Sequence, residues 1–423
     1  MAKKYSCLEH ELMPLPITGH IDGISFPGPP ENRTAPEYLG VSLTQEGLRA
    51  HYYIGTSWLK EGESYLSIEP KLNGRNCPRI DFGKMFSEAL QLGSRHDADY
   101  FGTCYGISMD EKGIDAGSMS RDFLLLLALH YVSVLKSIIT SGLRKGYVTV
   151  EENLSSKVRG RIRVQRNISL NDMNQRPDRV YCSYQIYTED IPENRLLKKA
   201  LLATERLVQL VPSMRNTVEG VLRDISKLKA AFFNVSSSVD EHSVRGNKSS
   251  KLFRNYESGL RIARMILRQE ASGMDAGRNV LPPFWIDMTG LFELYALSML
   301  ERAYPSRILF QVPASHKTRC DYLDRTAGII MDAKYKPGYS FREEDSKLYG
   351  LMDDIREISG YARDRKLLRI MGKDNYMPPC VVIYPDQKDG MSEFSGQDLI
   401  GCCEPIEEFA SFYRVGIKLP TMQ

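Results

Sequence analysis

The chain has no marked excess of charge. Its 423 residues carry 56 Lys and Arg against 53 Asp and Glu, a formal net charge of +3. A balance that small does not announce a nucleic-acid binder, so any basic surface must be local. Cysteine offers as little. The eight cysteines, at 7, 77, 104, 182, 320, 380, 402 and 403, include no Cys-x-x-Cys pair, which indicates neither a zinc site nor a disulfide framework. Met1-Ala2-Lys3-Lys4-Tyr5-Ser6 leads into polar sequence without the apolar core of a signal peptide, so a reduced, cytoplasmic protein is expected. One run, 123–135, invites a membrane reading, but it is short and crowded by Arg121, Asp122, His130 and Lys136. It is expected to be a buried interdomain helix, with His130 a core histidine rather than a ligand. There is no internal repeat, no long low-complexity tract and no nucleotide-binding P-loop.

What is present describes an ordinary globular chain, 42% hydrophobic and 26% charged, long enough for two or three domains. Residues 1–120 read as strands and loops. Segments 52–59 and 64–68 form a hairpin across the turn-prone Lys60-Glu61-Gly62-Glu63, and 81–92 is a candidate helix. Residues 121–280 are mostly helical, with helices at 194–211, 217–232 and 256–269, a polar loop at 234–251 and a linker at 271–277. Pro282-Pro283 opens the last region, 281–423, which reads as helix, strand, strand, helix, strand.

A basic stretch interrupts the middle region. In 157–166, Lys157, Arg159, Arg161 and Arg163 share one face if the segment is a strand, with Val158, Ile162 and Val164 on the other. Four cations at that spacing can track a phosphate backbone, serve a neighbouring nucleotide site or acidic domain, or simply form a solvated face. Sequence alone does not separate these uses.

The chemistry concentrates in 285–336. Ile329-Ile330-Met331-Asp332-Ala333-Lys334-Tyr335-Lys336 delivers a carboxylate and, two residues on, an ammonium. In a strand Asp332 and Lys334 project together while Ala333 and Tyr335 point the other way. Asp321 lies on a segment short enough to be the neighbouring strand. An acid from one strand and acid-x-Lys on the next is a layout suited to metal-dependent phosphodiester hydrolysis, in which Mg²⁺ takes a few carboxylates plus water. Glu293 stands in a helix, 286–302, that is apolar nearly all round. A buried carboxylate there needs either a core arginine or a place in the site. Glu357 and Tyr361, four residues apart, lie on one face of a later helix, lining the cleft or an outer charged face.

Glu293, then Asp321, then Asp332-Ala333-Lys334-Tyr335-Lys336 resembles the PD-(D/E)xK nuclease superfamily, and in particular McrC-like subunits of McrBC-type modification-dependent restriction systems. Asp354-Ile355-Arg356-Glu357-Ile358-Ser359-Gly360-Tyr361-Ala362 is similar to the family's following helix, where Gln often stands at Glu357. Val381-Val382-Ile383-Tyr384-Pro385 is similar to its closing strand. Asp190-Ile191-Pro192-Glu193-Asn194-Arg195-Leu196-Leu197-Lys198 and Tyr65-Leu66-Ser67-Ile68-Glu69-Pro70-Lys71 also resemble McrC segments. Cys320 stands where a proline usually precedes the first aspartate.

The resemblance implies an α+β multidomain chain. It would comprise an N-terminal strand-rich adaptor domain (1–120), a mostly helical middle region (121–280) and a C-terminal α/β, restriction-endonuclease-like PD-(D/E)xK core (281–423). It further implies Mg²⁺, or Mn²⁺, held by Asp321, Asp332 and Glu293, with Lys334 catalytic. Double-stranded, methylated DNA would be the substrate and a McrB-like hexameric AAA+ GTPase the partner, GTP being used by the partner and not by this chain. A non-cleaving activator of a AAA+ motor and a stand-alone repair nuclease are the alternatives.

Overall fold

The computed structural model describes residues 2–14, 41–43, 47–73, 79–92, 100, 103–107, 112–115, 119–209, 215–240, 244, 254–276, 280–336, 348–373, 376–395 and 398–421. It is a mixed α/β chain with two compact units. One is built from Met1–Leu126, Ser213–Thr217 and Gly277–Gln423, the other from Leu127–Pro212 and Val218–Ala276.

Among the described residues the first unit holds two large sheets, of five and six strands, and two small ones, of three and two. From the N-terminal part come β1 (Lys3–Leu8), β2 (Tyr53–Lys60), β3 (Ser64–Glu69), α1 (Phe82–Leu92) and β4 (Tyr105–Ile107). The expected hairpin is β2–β3, antiparallel, and β1 adds parallel to β3. Asp81 starts α1 by accepting the Lys84 N–H at 2.8 Å. The fifth strand of this sheet is β5 (Phe284–Asp287), which inserts between β2 and β4. It lies far away in sequence, in a stretch whose last two residues were expected to begin a helix. The helix, α2 (Met288–Ala303), begins only after Asp287, whose carboxylate accepts the N–H groups of Thr289 and Gly290 at 2.9 and 3.3 Å. Gly55 makes the insertion sterically possible. It faces Trp285 across the β2–β5 ladder at φ +143°, and a Cβ there would sit 2.1 Å from the Phe284 carbonyl oxygen.

The second sheet has six strands in the order β6 (Ile308–Pro313), β7 (Arg319–Asp324), β8 (Ile329–Ala333), β9 (Cys380–Pro385), β11, β10, where β10 is Glu404–Pro405 and β11 is Phe412–Ile417. The first three strands are antiparallel neighbours. β9 and β11 then add in parallel. Between β8 and β9 the chain forms a helix α3 (Leu348–Ala362) and a short helix Arg365–Ile370. Ile355, Ile358, Tyr361, Leu367 and Leu368 pack on Leu323, Ile330 and Val382 of the sheet. Strands with both faces covered read as unbroken apolar runs, which is why β8 and β9 are buried at every position. The polar segment 338–347 lies outside the described residues.

The second unit is largely helical. Most of the helix Met119–Ser141 lies here, and its apolar run is buried along Leu126–Leu129, Tyr131, Val132, Leu135 and Ile138. His130 is enclosed among these residues, and burial pulls its pKa down to about 4. Among the described residues no helix is long and apolar enough to cross a membrane. Helices Pro192–Gln209, Arg215–Ala231 and Arg254–Ala276 follow. The last continues through 271–276, where a linker was expected: Ala271, Met274 and Ala276 favour helix enough to carry Gly273. Part of the polar loop 234–251 lies outside the described residues.

The segment 190–198 proves to be a polar knot. Asp190 pairs with Arg195 through two 2.8 Å bonds and caps the Ser236 N–H. The buried Asn194 amide donates to the carbonyls of Arg144 and Glu189, and Lys198 donates to those of Phe232 and Val235. Asp190, Asn194 and Lys198 each satisfy a backbone group that no helix ladder reaches.

Projecting features of this unit sit on a long hairpin of Gly146–Ser155 and Arg179–Thr188. The basic stretch lies at its end and corrects an expectation: it is not one strand. Left-handed backbone at Ser156 and Gly160 breaks it, only Arg161–Ile162 pair as strand, and Val164–Leu170 is helix. The four cations therefore do not form a row. All four are exposed. Arg159 stacks over Tyr184 at 4.3 Å, and Arg163 is tied to Glu151 at 2.7 and 2.9 Å.

Candidate active site

Asp332 sits on β8, next to the β7 edge, and is 3% exposed. The β7–β8 register pairs Tyr322 with Met331, so the next position would set Asp321 opposite Asp332. There the ladder gives way to a side-chain bond: Asp321 Oδ2 accepts the Ala333 N–H at 3.0 Å. Lys334 follows the strand, anchored by its N–H to the Ile383 carbonyl at 2.8 Å. Its ammonium lies 2.7 Å from Asp332 Oδ2 and 2.9 Å from Glu357 Oε2. Alternation thus places Asp332 and Lys334 together while Ala333 and Tyr335 are buried on the far side.

Glu293 enters from α2. It has no arginine. Its Oε2 accepts the Tyr100 hydroxyl at 2.5 Å and the Gln311 amide at 3.0 Å, and that amide also donates to Asp321 Oδ1 at 3.1 Å. Gln311 is held in this bridging position by a left-handed backbone, φ +48°, within β6. The β6–β7 ladder skips the residue. Neither Tyr100 nor Gln311 had any signal in the sequence. A lone tyrosine and a glutamine in a short strand are unremarkable until the fold turns them inward.

Of the two helix residues, Glu357 reaches the site through Lys334. Tyr361 lies one turn on, buried in the core beneath the sheet with Ile355 and Ile358. A nearby carboxylate provides a contrast. Asp324, fully buried at the β7–β8 turn, is matched by Arg307 at 2.6 Å and by the N–H groups of Thr326 and Ala327 at 2.9 Å. It is structural. Asp332 Oδ2 instead is met by the Lys334 ammonium at 2.7 Å.

The electrostatics follow from this crowding. Burial pushes the Asp321 carboxyl up to about 8 and Glu293 to about 7, with each other's or neighbouring acids' charge adding. Asp332 is raised well above the usual range by burial and by Asp321. Burial pulls Lys334 down, but Asp332 and Glu357 outweigh it and hold the ammonium charged. Three acids that repel one another in a buried space are a donor set waiting for positive charge. Among the described residues no group of three His, Cys, Asp or Glu side chains is placed to hold a metal ion. Asp321 and Asp332 are the pair that would offer a hard cation two carboxylates, with water completing its shell.

Comparison with known proteins places this geometry in context. Among the solved structures that resemble the chain are two from Thermococcus gammatolerans. One is a refined half-complex from a tetradecameric assembly of Thermococcus gammatolerans McrB AAA+ hexamers with bound McrC, 16% identical, covering 98% of this chain and 94% of the other at a TM-score of 0.41. The other is the Thermococcus gammatolerans McrBC complex, 13% identical over 71% of this chain and 88% of the other, with a TM-score of 0.29. No curated protein matches. A family model described as McrBC 5-methylcytosine restriction system component matches residues 48–354, which take in the N-terminal hairpin, the middle unit and every acid of the cluster. With most of its length matched, the chain belongs to the McrBC 5-methylcytosine restriction system component family.

Proposed function

We propose that this chain is the Mg²⁺-dependent endonuclease subunit of its restriction system, with a PD-(D/E)xK-type core formed by α2, β7, β8, α3 and β9. It acts on methylated double-stranded DNA together with a McrB-like hexameric AAA+ GTPase, which it stimulates. The observation that carries this is the convergence of Glu293, Asp321, Asp332 and Lys334, drawn from a helix and two strands, in a buried acidic cluster holding a single ammonium. Membership in a multi-component restriction family supports the division of labour.

Asp321 and Asp332 would hold the metal, with Glu293 completing the acidic set directly or through water. The bound ion, Mg²⁺ or Mn²⁺, supplies polarisation of the phosphoryl oxygen and a more acidic water. Lys334, kept charged by Asp332 and Glu357, orients that water and neutralises charge developing on phosphorus. Glu357 aims the ammonium, a task that a glutamine at the same position would perform with one charge fewer.

A non-cleaving activator of the motor is the second reading, favoured by the Gln311 amide standing between Glu293 and Asp321. Calorimetric Mg²⁺ titration separates the two. On the nuclease reading the wild type binds Mg²⁺, Asp321→Asn and Asp332→Asn lose it, and Lys334→Ala keeps binding while cleavage falls by about 10²–10³-fold. Equal Mg²⁺ binding in wild type and both aspartate variants would remove the site from the reaction.

A further inference from the structure

The three residues after Ala333 alternate between two supports. Lys334 is held by Asp332 and Glu357, and Lys336 by Asp354 of α3 through two 2.8 Å contacts. Tyr335 points the opposite way, 2% exposed, and meets Glu9 and Lys71, which directly follow strands β1 and β3 of the N-terminal sheet. Its hydroxyl donates to Glu9 Oε2 at 3.2 Å. Its carbonyl accepts the Lys71 ammonium at 2.9 Å, and that ammonium also lies 4.1 Å above its ring. The ring packs against Phe292, the neighbour of Glu293, at 5.8 Å between centroids.

Glu9 and Lys71 are placed for this by their own strands. Glu9 follows β1 and continues the ladder by donating its N–H to the Glu69 carbonyl at 2.9 Å. Pro70 ends β3, having no N–H to extend it, and the Lys71 N–H turns to Glu9 Oε2 at 3.1 Å. A cation half-removed from water is costly without strong partners. Lys71 meets that cost with the backbone carbonyl and ring of Tyr335, the Tyr52 ring at 5.3 Å and the nearby charge of Glu9.

We infer that Glu9 and Lys71 are positioning residues for Lys334: by clamping Tyr335 they fix the chain on which the ammonium is carried, so cleavage depends on the state of the N-terminal sheet. This rests on the nuclease reading for its catalytic consequence, while the clamp itself does not. It also gives the segment Ile68-Glu69-Pro70-Lys71, which contributes no atom to the acidic cluster, a role in the reaction. Displacing a reacting group by about 1 Å is enough to lose roughly 100-fold in rate.

The test uses the full chain with its AAA+ GTPase partner, GTP, Mg²⁺ and methylated plasmid, comparing wild type, Lys71→Met, Lys71→Arg and Tyr335→Phe. Lys71→Met keeps the aliphatic stem and removes the cation. It is expected to lower kcat by about 10–100-fold with KM for DNA and stimulation of the partner's GTPase unchanged, and Lys71→Arg to restore most of that loss. Tyr335→Phe, which removes only the hydroxyl bond to Glu9, is expected to lower kcat less. Hydrogen exchange is read alongside. Lys71→Met should speed exchange of the amides at 334–336 and leave those of β6–β7 as they were. A folded Lys71→Met protein with wild-type kcat, or with exchange at 334–336 unchanged, overturns the inference. Wild type that fails to cleave would refute the nuclease reading instead, and the exchange result would still decide the clamp.

Discussion

On the proposed reading, Asp332 sets function against stability in one side chain. Its carboxylate is buried beside Asp321, and its charge is matched only by an ammonium shared with Glu357. Neutral Asn fills the same space without the charge. Asp332→Asn is expected to abolish cleavage and to stabilise the metal-free protein by on the order of 1–2 kcal/mol, read as a rise in Tm; a fall in Tm would show that the charge is needed for folding. Glu9 gives a pH signature of its own. Burial raises its pKa from 4.5 to about 7, only partly offset by Lys71. The folded state therefore binds the proton more tightly than the unfolded chain, and stability declines as pH rises from about 4.5 through 7, by up to roughly 3 kcal/mol. Lys71, lowered to about 8, adds no slope in that window, since it is protonated in both states below it. Urea unfolding at pH 5 and pH 8 should show Glu9→Gln losing less stability between the two than wild type. Equal losses would mean that Glu9 is not buried as described.

At the scale of elements, the sequence was most legible where period and burial agree. Period-two alternation places Asp332 and Lys334 on one side of β8, and the all-round apolar character of α2 marks Glu293 as needing a role. What remained illegible has physical causes. β6 carries Gln311 at a left-handed position and follows Pro305-Ser306, so no alternation announces it. β5 is four residues long and acquires its identity from β2 and β4, more than 170 residues upstream. The basic stretch has strand spacing, but Gly160 adopts φ +67°, which no alternation pattern registers. Tyr100 and Lys71 act through contacts 193 and 264 residues away along the chain. The insertion of β5 yields a prediction at this scale. Gly55→Ala would drive a Cβ into the Phe284 carbonyl and is expected to destabilise the protein by on the order of 2–4 kcal/mol, visible as a lower denaturation midpoint. A change under about 0.5 kcal/mol would argue that β5 does not pair there.

For the whole molecule, the balance of charge acquires a meaning. A formal +3 on 423 residues gives little general attraction to DNA, in keeping with the proposal that the substrate reaches this chain through a partner. The first unit combines both ends of the chain, so the N-terminal sheet and the acidic cluster belong to one compact body. β5 and α2 run directly from one to the other, and Tyr335 is held by Glu9 and Lys71 beside the N-terminal sheet and by Phe292 of α2. An activity that depended only on β7 and β8 would not require that arrangement.

The most direct test is Mg²⁺-dependent cleavage of methylated and unmethylated plasmid by the full chain with its AAA+ GTPase partner and GTP, with the Asp332→Ala protein run in parallel. The account predicts cleavage of methylated DNA only with partner, GTP and Mg²⁺ together, lost in Asp332→Ala while stimulation of the partner's GTPase survives. Cleavage that persists in Asp332→Ala, or its absence from wild type while GTPase stimulation is intact, would contradict the assignment of this site as the nuclease centre.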